Sequence, residues 1–125
     1  MKFLMTIKSN EQHKSNAPLN PKLMQAIATL AQEEATAGRL LFTGGLPWSG
    51  KTTRIKAGAG KITAVDGPFT ETKELIAGFA IFELPSHEVA VESAKNFFKL
   101  HQEILGPSWE GEMEVHPIFD ADPSH

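Results

Sequence analysis

Apolar and polar positions alternate from Lys2 to Lys8, with Phe3, Met5 and Ile7 on one side and Leu4 and Thr6 on the other. A period of two predicts a strand, here apolar on both faces. The polar run Ser9 to Leu19, containing His13 and Pro18, reads as a loop. Asn20-Pro21 then predicts a helix start, because Asn accepts free N–H groups and Pro at the first helical position gives up nothing. Leu23, Ile27 and Leu30, with Met24, Ala28, Ala31 and Ala35, make one apolar stripe, and Gly38 is placed to end the helix. Arg39 to Thr43 predicts a second strand, broken by Gly44-Gly45 and followed by Leu46-Pro47-Trp48-Ser49-Gly50. Thr52 to Lys56 and Lys61 to Val65 look like hairpin arms around Gly58-Ala59-Gly60.

Val65 to Glu74 then gathers turn formers, an aromatic and four charges between apolar runs. Gly78 to Leu84 is a strongly apolar strand closed by Pro85-Ser86, where Ser86 caps a second helix with Glu88 in its first turn. Ala90, Ala94, Phe97, Phe98 and His101 recur at helical spacing until Gly106-Pro107. A last strand runs from about Glu112 to Phe119, and Pro117 demands that it be an edge or carry a bulge.

The order is therefore strand, helix, two or three strands, helix, strand. That predicts a single α+β domain over residues 1–125, a ferredoxin-like βαββαβ arrangement with an antiparallel sheet. Two amphipathic helices cover only one face of such a sheet. Yet Phe79 and Ile81 point one way while Ala80, Phe82 and Leu84 point the other. The second face needs a cover, and a twofold partner packing sheet on sheet supplies it, which predicts a homodimer.

Composition narrows the function classes. Hydrophobic content of 41% and charged content of 22% are those of a folded soluble protein, and a net charge of -3 offers no basic field for a phosphate backbone, so no nucleic acid partner is expected. The absence of cysteine removes disulfides, thiolate nucleophiles, iron-sulfur clusters and Cys-type zinc sites. The apolar start Phe3 to Ile7 is too short for a signal core, and no run approaches the ~20 apolar residues of a membrane helix, so a cytoplasmic protein without a membrane partner is expected.

Gly45-Leu46-Pro47-Trp48-Ser49-Gly50-Lys51-Thr52 satisfies the phosphate-loop expression, but that chemistry needs a helix to begin at the Lys and Thr. Thr53-Arg54-Ile55-Lys56 reads as strand, so a plain loop is the better reading. His116, Asp120, Asp122 and His125 are metal-ligand types, yet they sit at a chain end with nothing apolar to pin it, so neither metal nor cofactor is expected. His116 shares a strand face with Glu114. His101, near a helix end, reads as structural. Neither Ser49 nor Ser86 has a nearby base.

Asp66-Gly67-Pro68 is different in kind: Gly67 and Pro68 make a turn that aims Asp66 and Phe69 rigidly. Two readings stand side by side. In one, Asp66 simply caps its own turn. In the other, Asp66 or Glu74 is a general base, and Lys73 or Arg54 meets an anionic group of a substrate.

Asp66-Gly67-Pro68-Phe69, followed by Thr70-Glu71-Thr72-Lys73-Glu74 and Gly78-Phe79, resembles the DGPF-domain proteins of the YCII-related superfamily. Gly44-Gly45-Leu46, Thr53-Arg54 and Glu114-Val115-His116-Pro117-Ile118 extend the resemblance over most of the chain. It implies a dimeric ferredoxin-like α/β barrel. Relatives with enzymatic activity use a His-Asp pair whose His lies in the first helix, but Lys22 to Ala37 contains no His, so that pair is not carried over. His116 also stands where the family's closing strand more often shows Arg, and an imidazole does not replace a guanidinium clamp. The expected site is a pocket of the homodimer with Asp66, Glu74 and His116 as proton-transfer groups and Trp48, Arg54, Phe69 and Lys73 as substrate contacts, supporting lyase- or isomerase-like chemistry. The alternative is a non-enzymatic ligand sensor linked to sigma-factor signalling, since DGPF proteins are often encoded beside alternative sigma factors.

Overall fold

The computed structural model describes residues 1–10, 19–46, 52–67 and 75–119. Along the chain run β1 (Lys2–Lys8), α1 (Pro21–Thr36), β2 (Leu40–Gly45), β3 (Thr53–Gly58), β4 (Lys61–Asp66), β5 (Ile76–Glu83), α2 (His87–Leu105) and β6 (Met113–Pro117). Four strands thus lie between the helices. Two of them, β3 and β4, pair only with each other, while the main sheet has the order β2-β5-β1-β6 with every neighbouring pair antiparallel. With the β3–β4 hairpin set aside, this is the ferredoxin-like order, and β6 is an edge strand, which accommodates Pro117 opposite Phe3.

Local signals act where the sequence places them. Asn20 Oδ1 accepts from the N–H groups of Lys22 and Leu23 at 2.8 and 3.3 Å, and Pro21 opens α1. Ser86 Oγ accepts from Val89 N at 3.2 Å to cap α2. Gly38 ends the first helical segment in the left-handed region at φ 79°. The hairpin turn uses Ala59 at φ 50° and Gly60 at φ 73°, so one of its two left-handed positions is filled by a residue with a Cβ, against its preference.

The second strand differs from the sequence reading: Gly44 and Gly45 continue β2 instead of breaking it. Pairing decides this. Gly44 lies opposite Phe79, whose ring would be 3.1 Å from a Cβ at Gly44, and Gly78 lies so near Gly44 O that a Cβ there would stand at 3.2 Å. The glycines allow close strand approach, and ladder hydrogen bonds outweigh their low strand propensity.

Register sorts the side chains. Phe3, Met5 and Ile7 stand beside Phe82, Ala80 and Gly78 on one flank and Pro117, Val115 and Met113 on the other. That face meets the helices, and Phe3, Met5, Leu84, Ala90 and Ala94 form the buried core beneath α2. The opposite face carries Leu4, Thr6, Phe79, Ile81, Glu114 and His116. From α1 only Leu23 is fully buried among the described residues, and from α2 Ala90 and Ala94.

Phe3→Ala is expected to lower unfolding free energy by about 3–5 kcal/mol, since it empties the centre of the core, whereas Asn20→Ala should cost only about 1 kcal/mol. Urea denaturation of both variants checks the ranking.

Candidate functional site

Between α1, α2 and the sheet lies a cavity of about 420 Å³. Its floor is Met5, Ile7, Leu40, Ala80 and Phe82, and its walls are Ile27, Leu30 and Ala31 of α1 facing Val89, Ser93, Asn96 and Phe97 of α2. The space exists because the facing positions are short: Gly78 and Ala80 on the helix side of β5 lie across from Ala31 and Ser93. A sealed, dry void of 420 Å³ would cost about 10 kcal/mol at about 24 cal/mol per Å³, as much as the whole net stability of a small domain. Exposed Arg39, Thr43 and Asn96 in the lining show that it opens to solvent instead. Its size is that of a small-molecule pocket.

Charge is concentrated where α1 passes into β2. The Arg39 guanidinium grips Glu34 in a two-point pair, Nε to Oε2 at 2.5 Å and Nη2 to Oε1 at 3.2 Å, and Arg39 N donates to Glu34 O at 3.0 Å. The Glu34 carboxylate, through these hydrogen bonds, raises the guanidinium pKa further above its ordinary value. Thr43 Oγ1 donates to Phe79 O at 3.0 Å. Ser93 and Asn96, three residues apart on α2, line the cavity with side chains that no other described residue engages in a hydrogen bond.

Of the residues nominated from sequence, the three that are described lie elsewhere. Asp66 closes β4 and accepts from Thr53 Oγ1 at 2.8 Å, tied across the hairpin; Arg54 is on β3 opposite Val65. Both strands of that hairpin are exposed throughout. His116 stands on the open face of the main sheet, where its Nε2 lies 3.3 Å from Glu114 Oε1, so the shared strand face expected for this pair is realised. Asp66 and His116 belong to different sheets, and neither they nor Arg54 line the cavity. Glu74, Trp48, Phe69 and Lys73 lie outside the described residues, as do Pro47 to Lys51 of the phosphate-loop-like run and Asp120, Asp122 and His125. Thr53 does open a strand, as the plain-loop reading of that run requires.

His101 has a structural setting. Its ring lies 4.7 Å from Phe97, 5.9 Å from Phe98 and 4.6 Å from Trp109, and its Nδ1 is 2.9 Å from Phe97 O.

The profile of the YCII-related domain matches residues 1–97, from the start of β1 through the first half of α2. The chain belongs to the YCII-related family. An uncharacterised protein of Rhizobium meliloti is 27% identical over 97 residues, which cover 78% of this chain and 73% of that protein. Among solved structures, a 5-chloro-2-hydroxyhydroquinone dehydrochlorinase from Burkholderia phenoliruptrix, in complex with 2,5-dihydroxybenzoquinone, matches at a TM-score of 0.47 and 17% identity. That match covers 95% of this chain and 94% of the other.

The YCII-related segment supplies every cavity-lining residue except Met113, while His116 lies beyond it. Sequence reasoning missed Glu34, Arg39, Ser93 and Asn96. The available signals were a charged pair straddling the Gly38 helix stop and the small residues Gly78 and Ala80 on what would otherwise be a bulky strand face.

On the open face, Lys8 Nζ reaches Glu112 Oε2 at 2.9 Å and Glu114 Oε2 at 3.7 Å, and the Glu112 hydrogen bond foremost raises the ammonium pKa above its ordinary 10.5. A raised folded pKa adds stability that is whole below pH 10.5 and is lost as pH climbs through the folded value. Lys8→Met should therefore lose that alkaline component while keeping its acid limb, as urea midpoints across the pH range would show.

Proposed function

We propose that this YCII-related protein is a homodimer that binds a small, largely apolar molecule between its helix pair and its sheet. The observation that carries the reading is the 420 Å³ cavity, apolar on floor and walls with a few polar groups at its rim. Pure packing does not account for it, because interiors fill to near-crystal density and rarely leave voids larger than a water.

The dimer rests on the other sheet face. Leu4, Phe79 and Ile81 line it, and Phe42, 59% exposed, stacks on Phe79 with ring centroids 5.7 Å apart. An apolar face of this kind calls for a partner, and a second copy presents a matching one. A dimer closed over that face brings His116 and Glu114 towards the partner. There the proton-transfer role nominated for His116 has its support, with Asp66 and Glu74 as further base candidates and Trp48, Arg54, Phe69 and Lys73 as substrate contacts.

A non-enzymatic ligand sensor is the second reading, and the cavity lining favours it. Among the described residues no histidine lines the cavity, and of its two carboxylates Glu34 is held by Arg39 and Glu92 lies at the exposed rim beside Lys95. Binding needs no more than this, whereas proton transfer needs a group poised to exchange.

A thermal-shift screen of small ring compounds tests the site. A ligand at a hundredfold excess over its Kd should add about 2.7 kcal/mol, and Ala31→Trp, which fills the seam, should abolish the response with the helical spectrum intact. Loss of response in Asp66→Asn instead, with Ala31→Trp still responsive, would move the site to the hairpin.

Sedimentation of dilute protein should show a dimer that Phe42→Asp converts to monomer. A wild-type monomer would refute the sheet-to-sheet association.

A further inference from the structure

We infer that the cavity selects neutral ring compounds bearing a hydroxyl or amide oxygen and turns away carboxylates, with Glu34 as the residue that enforces the exclusion. This rests on the cavity being the binding site, as proposed above.

The first ground is charge. Among the described lining residues the only cation is Arg39, and the only carboxylates are Glu34 and Glu92. Each is already matched: Arg39 holds Glu34 at two points, and Glu92 Oε1 lies 3.7 Å from Lys95 Nζ. Arg39 Nη1 stands outside the pair, but its single positive charge is already balanced, so an incoming carboxylate either displaces Glu34, whose side chain is only 20% exposed, from its counter-charge or stands beside it as an unmatched second anion.

The second ground is the unused polar groups. Ser93 and Asn96 sit one turn apart on α2, face the cavity and have no hydrogen bond to other described residues. Together they offer hydroxyl and amide N–H donors and two acceptor oxygens. Opposite them stand Ile27 and Leu30, apolar and suited to the flat face of a ring. A site with an apolar wall, a satisfied ion pair and two idle neutral polar groups reads a neutral oxygen function on a ring.

Four probes sharing one ring separate the claims: toluene, benzyl alcohol, benzamide and benzoate, titrated calorimetrically against the full chain at neutral pH. Benzamide or benzyl alcohol should bind about tenfold more tightly than benzoate, the worth of roughly one net hydrogen bond. Glu34→Gln frees Arg39 and should improve benzoate about tenfold while leaving benzamide unchanged. Gln keeps the shape and an acceptor oxygen for Arg39, and an unchanged helical spectrum confirms that the variant folds. Asn96→Leu should weaken benzamide about fivefold and leave toluene unaffected. Equal wild-type affinity for benzoate and benzamide, or a Glu34→Gln variant that still rejects benzoate, overturns the inference while toluene binding keeps the cavity in place. If no probe binds, toluene included, the cavity reading falls and the selectivity falls with it.

Discussion

β1 is hydrogen-bonded on both flanks, to β5 and to β6, and its register decides which side chains meet the helices and which meet the opposite side. With Phe3 level with Phe82 and Pro117, and Met5 level with Ala80 and Val115, the residues that can build a core all fall beneath the helices. A slip of β1 by one residue would exchange Phe3 and Met5 for Leu4 and Thr6 beneath the helices. The core, the cavity and the open face all follow from this one pairing.

α2 presses Ala90 and Ala94 onto Phe3 and Met5, with small side chains admitting close approach. α1 buries Leu23 completely, while the space between α1, α2 and the short side chains of Gly78 and Ala80 stays unfilled. A ligand in the seam would add apolar contacts to both helices, which links occupancy to their stability.

Polar groups are arranged differently on the two faces. Around the cavity, ionic groups are matched in pairs, Glu34 with Arg39 and Glu92 with Lys95, while Ser93 and Asn96 have no hydrogen bond to other described residues. On the open face Glu112, Lys8, Glu114 and His116 form a ladder along the β1–β6 edge, beside the apolar Leu4, Phe79, Ile81 and Phe42. Such exposed ion pairs contribute little stability but set which partner surface fits. The β3–β4 hairpin stands apart from both faces, joined internally by its ladder and the Thr53–Asp66 hydrogen bond.

Read alone, the sequence determined the elements and the α+β class, because strand alternation, caps at Asn20 and Ser86, and stops at Gly38 and Gly106 are local signals that survive into the fold. It also determined that both sheet faces would be apolar, and that Glu114 and His116 would share one of them, since those statements need only a period of two. Only the tertiary structure decided that β2 runs through Gly44-Gly45, because the reason is a ring and a carbonyl from another strand. The cavity was decided there too. It is made of gaps between Ala31 of α1, Gly78 and Ala80 of β5 and Ser93 of α2, and although small residues mark each element, only the packing of the three together shows that the gaps coincide. Turn chemistry drew attention to Asp66 because it is concentrated in a few consecutive residues, whereas the ligand-sized space arises where elements distant in sequence fail to fill the volume between them.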